Sequence, residues 1–163
     1  MELQDTCEAD AEALAALVDS VARERRYLAA TVGFSVEGTR AFISSVRASA
    51  GVHVVMIASD EIIGWCDIVP HSYEGMKHVG RLGMGIRRDF RGRGFGQKLL
   101  AVAVQKAFSS GIERIELEVF ASNQSAIRLY ETSGFRLEGR KLAARKLDGV
   151  TDDLLLYAML HTA

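Results

Sequence analysis

Between residues 78 and 120 the apolar pattern changes period twice, and this constrains the fold more than any other feature of the chain. HVGRLGMGI at 78–86 reads as a strand, weakened by Gly80, Gly83 and Gly85. From Gly96, GQKLLAVAVQKAFSSG carries Leu99, Leu100, Ala103, Val104, Ala107 and Phe108 at i, i+3, i+4 spacing, which predicts a helix ending at Gly111. IERIELEVF at 112–120 returns to alternation, with Ile115, Leu117 and Val119 on one face and Arg114, Glu116, Glu118 and Phe120 on the other. Strand, helix and strand in succession imply a parallel pair, because the helix carries the chain back to the same end of the sheet.

The flanking segments read as antiparallel. VHVVMIA at 52–58 and IIGWCDIV at 62–69 form a hairpin around Ser59, Asp60 and Glu61, and residues 135–145 and 150–160 form another over Asp148-Gly149. Residues 10–25, with Leu14, Leu17, Val18 and Val21 on one face, predict a helix, as does the segment after Ser35 with Ala41, Phe42, Ile43 and Val46. A short helix from Asn123 to Ser133 stops at Gly134. The chain of 163 residues, 48% of them hydrophobic, has material for one core. The expectation is a single α/β (α+β) domain spanning residues 1–163, with a mixed, mostly antiparallel sheet, a central parallel strand pair and helices on both faces.

A formal net charge of -1 gives the whole chain no field that would draw it to nucleic acid or an anionic membrane. The acidic N-terminus MELQDTCEADAEALAALVDSV lacks the basic start and continuous apolar stretch of a secretion signal, and no run reaches transmembrane length. A cytoplasmic protein without nucleic-acid or membrane partners is expected. Cys7 and Cys66 fit neither a disulfide framework nor a zinc site, and no metal site is suggested.

RRDFRGRGFGQKLL at 87–100 sets four arginines and three glycines against the start of the central helix. In RGRGFG the missing side chains let backbone N–H groups converge, and the helix adds the positive end of its dipole. Such a turn binds phosphate or pyrophosphate, with Arg87, Arg88, Arg91, Arg93 and Lys98 nearby. It is not a Walker loop, since Gln97-Lys98-Leu99 supplies no hydroxyl for magnesium, and its alternating glycines do not make a dinucleotide fingerprint. A glycine-rich turn on a basic surface is the competing explanation.

Arg91-x-x-Gly94-x-Gly96, followed by Asn123-Gln-Ser-Ala126-Ile-Arg-Leu129-Tyr130-Glu-Thr-Ser-Gly134-Phe135, resembles the GNAT family of N-acetyltransferases. LEVFASNQSAIRLYETSGF is similar to members that acetylate the N-terminal amine of ribosomal proteins, whereas EGRKLAARKLDGVTDDLLLYAML resembles a broader group acting on amino acids, polyamines and other small amines. The resemblance implies acetyl-CoA as co-substrate and an amine acceptor, either a small amine or a protein N-terminus. It implies that backbone groups of Met84, Gly85 and Ile86 hold the pantetheine arm. Arg91, Gly92, Arg93, Gly94, Phe95, Gly96 and Gln97 would form the pyrophosphate loop, and Asn123 a further coenzyme A contact. Tyr130 would be the general acid for the departing sulfur and Glu118 the general base.

Each role has a plainer alternative: packing for Tyr130, and ion pairing beside Arg114 and Glu116 for Glu118. Asp67, His71, Tyr73 and His78 compete as polar groups bordering an acceptor pocket, and Tyr27, Phe34 and Trp65 could line it or pack in the core. A non-catalytic acyl-CoA-binding or ligand-sensing module is the alternative function. A homodimer is compatible with an exposed final strand.

Overall fold

The computed structural model describes residues 1–162. Its elements run β1 (Glu2–Asp5), α1 (Ala11–Ala22), α2 (Val36–Ala48), β2 (Val52–Ala58), β3 (Glu61–Pro70), β4 (Val79–Ile86), α3 (Phe95–Ser109), β5 (Arg114–Phe120), α4 (Gln124–Thr132), β6 (Arg136–Leu147) and β7 (Val150–Leu160). Local chemistry sets these boundaries. The Ser35 hydroxyl accepts from the Gly38 N–H at 3.0 Å and caps α2, while Glu37 in the first turn and Arg47 in the last complement its dipole. Ser59 and Asp60 at φ 50° and 63°, and Asp148 and Gly149 at 52° and 77°, supply the paired positive φ values of tight hairpin turns.

The seven strands form one sheet in the order β1-β2-β3-β4-β5-β7-β6, antiparallel except for β4 and β5. On one face Leu14, Leu17 and Val21 of α1 and Ile43 of α2 pack on Val55 and Trp65. On the other, Leu99, Leu100 and Ala103 of α3 and Ile127 of α4 pack on Val54, Cys66, Ile68 and Ile115. A side chain as fully buried as Leu99 or Ile115 contributes about 1.5–3 kcal/mol from apolar transfer.

Two local readings change, and a third gains detail. Residues 2–5, too short and polar to show a period, form β1 by pairing Glu2 with Ile57 through Asp5 with Val54. Phe120 keeps the face of Arg114, Glu116 and Glu118 that the alternation gives it, and is buried there under the Arg145 guanidinium, 4.3 Å above its ring. The final strand is not an edge: β7 is inserted between β5 and β6, so β6 ends the sheet on that side and β1 on the other.

One irregularity positions the site. The parallel pairing of β4 with β5 covers only Val79 with Arg114, Gly80 with Ile115 and Arg81 with Glu116. Beyond it, β4 continues beside β3 as far as Ile86, and β5 beside β7 as far as Phe120. The two strands part and leave a cleft between them.

Candidate active site

The Arg87 N–H donates to the Ile63 carbonyl at 2.8 Å, and the His71 N–H donates to the Val79 carbonyl at 3.0 Å. By the alternation of an antiparallel ladder, odd-numbered residues of β4 turn their peptide groups to β3, and even-numbered ones turn away. Met84 and Ile86 thus present theirs to the cleft. The Ile86 carbonyl is taken by the Arg91 Nε at 2.8 Å, which leaves the Met84 groups and the Ile86 N–H for a guest.

The cleft has a volume of about 430 Å³. Met84, Gly85, Ile86, Arg91, Gly92, Gly94, Gly96, Gln97, Glu118, Asn123 and Tyr130 all line it, joined by Val21, Tyr27 and Leu28 from the end of α1 and the segment after it. Arg93 and Phe95 do not. The Arg93 guanidinium lies 5.5 Å over the Phe90 ring, and Phe95 packs on that ring at 6.3 Å. Gly92 and Gly94 stand at φ 72° and 78°, where a side chain is strained, and Gly94 caps the N-terminus of α3. The free N–H groups of that first turn suit an anion. The Asn123 side-chain oxygen accepts from the Ala126 N–H at 3.2 Å and fixes the start of α4 beside the cleft.

Tyr130 is buried, its ring edge-on to Phe135 at 5.8 Å. Burial first, and then the neighbouring Cys66 thiol, hold its phenol well above the usual range, so it remains a proton donor at neutral pH. Cys66 is inert by the same physics: burial, then the Asp67 carboxylate, raise its thiol far from a reactive thiolate.

Arg91 does more than open the glycine turn. Its two terminal nitrogens donate to both oxygens of Glu24 at 2.6 and 2.8 Å, and its guanidinium lies 4.8 Å over Tyr27. Lys141 on β6 donates to Glu118 at 3.0 Å. Arg87 is likewise engaged by Glu61 at 2.7 Å, so much of the arginine cluster is spent on internal pairs.

The other candidates scatter. His71 contacts Glu116 at 3.2 Å, whereas Tyr73 and Phe34 are exposed. Trp65 lies over Gly85, and Asp67 is half-buried beside Gly83, its carboxyl pushed up to about 7 by burial. Glu24 gave no sequence signal, because its partner lies 67 residues away and its own segment has no period. Among the described residues no helix is long and apolar enough to cross a membrane, and no three His, Cys, Asp or Glu residues cluster as metal ligands.

The profile of the acetyltransferase (GNAT) family matches residues 14–135, well over half of the chain and all of the parted strands, glycine turn and Tyr130 helix. The chain belongs to the GNAT family. An uncharacterized N-acetyltransferase of Bacillus subtilis is 36% identical over 76 residues, 47% of this chain and 49% of that protein. The chain thus matches about half the length of this curated relative. A ribosomal-protein-alanine N-acetyltransferase from Brucella melitensis superposes with a TM-score of 0.92 at 20% identity, covering 99% of this chain and 100% of that one. A phosphinothricin acetyltransferase from Sinorhizobium meliloti, solved in complex with AcCoA, superposes equally at 0.92 and 17% identity, covering 98% and 87%. At those identities both likenesses establish the GNAT fold alone.

Proposed function

We propose that residues 1–163 form one N-acetyltransferase domain that moves an acetyl group from acetyl-CoA to a primary amine by direct attack while both are bound. The observation that carries this reading is the row of Met84 peptide groups and the Ile86 N–H left without a strand partner, in the same cleft as the glycine turn and Tyr130. A chain of amides, as in a pantetheine arm, can complete the missing strand contacts, with its diphosphate at the N–H groups of Gly92 to Gln97. The Met84 N–H suits the thioester oxygen, where negative charge develops. Tyr130, kept protonated by burial, suits the departing sulfur. Glu118, at the acceptor end, supplies negative charge beside an incoming ammonium.

The acceptor is an amine of either a small molecule or a protein N-terminus. Thiol release from acetyl-CoA across a panel containing a ribosomal-protein N-terminal peptide, free amino acids and spermidine tests the proposal. Turnover with one class identifies the acceptor. Coenzyme A binding without turnover on any amine would replace it with a non-catalytic acyl-CoA-binding module.

A further inference from the structure

The open half of β4 borrows its side chains from β3. On the face covered by α1 and α2, Gly83 and Gly85 present nothing of their own, and their cross-strand partners Asp67 and Trp65 lie over them. The Trp65 indole fills the Gly85 position. The Asp67 oxygens stand 3.3 and 3.4 Å from where a Cβ on Gly83 would be, so the carboxylate occupies the place of a β4 side chain. Gly83 is part of the cleft wall and directly precedes Met84, whose peptide group faces the cleft. From this placement we infer that Asp67 takes the proton from the acceptor amine, an inference that rests on the proposed acetyl transfer.

Glu118 is the carboxylate that itself lines the cleft, but it is 43% exposed and already holds Lys141, whereas Asp67 meets the cleft wall from behind Gly83. Among the described residues Asp67 has no such cation. Its surroundings on that face are His53 of β2, Arg81 two positions before Gly83, and Glu116 and Glu118 across the cleft on β5. His53 is uncharged at neutral pH, its pKa pushed down to about 4 by burial, and Glu116 is engaged by Arg114. The buried positions of α1 and α2 bring only apolar side chains and Thr39. Burial is the cause of the Asp67 shift to about 7, close to the pH at which a base works best.

The step balances. An ammonium gives one proton to Asp67, and the freed nitrogen attacks the thioester carbon. The C–N bond forms and the C–S bond breaks. The sulfur receives the Tyr130 proton, and the phenolate recovers it from the nitrogen. Asp67 then returns its proton to water, so each transfer releases one proton.

The test measures kcat/KM for the fastest amine of the panel, from about pH 5.5 to 9, in wild type, Asp67→Asn, Asp67→Glu and Glu118→Gln. Ionisation of the amine is common to all four. Wild type is expected to show an additional acid limb near pH 7. Asp67→Asn loses that limb and falls about 10²-fold or more at neutral pH, while coenzyme A affinity by calorimetry is unchanged. Asp67→Glu keeps a displaced limb, and Glu118→Gln keeps the limb in place. The inference is overturned if Asp67→Asn, binding coenzyme A normally, keeps both rate and limb, or if Glu118→Gln loses the limb instead. Should Asp67→Asn fail to bind coenzyme A, Asp67→Glu decides: an undisplaced limb at full rate overturns the assignment. No thiol release by wild type with any amine sinks the transfer reading itself.

Discussion

Glu24, two residues beyond α1, holds both terminal nitrogens of Arg91, while the Nε of the same guanidinium holds the Ile86 carbonyl. One side chain thereby ties the segment after α1 to the end of β4 and to the glycine turn. A bidentate, partly buried pair of this kind is worth more than a surface bridge. A double-mutant cycle with Glu24→Ala and Arg91→Ala, read by urea denaturation, is expected to give a coupling of about 0.5–3 kcal/mol. Arg91 holds the Glu24 carboxyl below its ordinary value of 4.5. The coupling is therefore fully present above about pH 4.5 and lost as pH falls through the lowered value. A coupling unchanged in acid would show that charge is not its source.

Tyr130→Phe keeps the ring against Phe135 and removes only the phenolic proton. The expected outcome is a fall in kcat of about 10²-fold or more, with coenzyme A affinity unchanged by calorimetry. The phenol lies far above neutral pH, so the loss should be flat across the neutral range, without a new limb. Full activity in the variant would remove the acid role and leave Tyr130 as packing.

Gly94→Val places a β-branched side chain at φ 78° on the residue that caps α3. Left-handed backbone costs an ordinary L-residue about 1–2 kcal/mol, and relief by shifting φ would turn the N–H groups of the first turn away from their common focus. Coenzyme A affinity should fall at least tenfold, while thermal stability changes by only a few degrees. Normal affinity by calorimetry would mean that the diphosphate is held elsewhere.

The change of period from strand to helix and back made the parallel pair legible in the sequence, and the glycine turn marked one end of the cleft. Legibility failed where a contact joins distant segments. Nothing in ARERRYL at 22–28 distinguishes Glu24 from a solvated acid until the fold brings Arg91 to it. The parting of β4 from β5 is equally silent, since a strand that loses a neighbour keeps its alternation. Gly83 and Gly85 read as strand weaknesses. Their meaning depends on Asp67 and Trp65, whose cross-strand register is fixed by the turn at Ser59 and Asp60 and by the course of the 71–78 loop.

Gly85→Ala tests that register most directly. A methyl group there would run into Cη2 and Cζ3 of Trp65, which is 6% exposed and packed against α1. The indole cannot yield without disturbing Leu14, Leu17 and Val21, so overpacking should cost about 1–3 kcal/mol in urea denaturation. Trp65 is the single tryptophan of the chain, so intrinsic fluorescence reports this one ring. The native emission should shift to longer wavelength as the indole is pushed toward water. Because the peptide groups of Gly85 face β3 rather than the cleft, coenzyme A affinity should fall less than in Gly94→Val. An unchanged emission together with full stability would mean that Trp65 does not lie across β4.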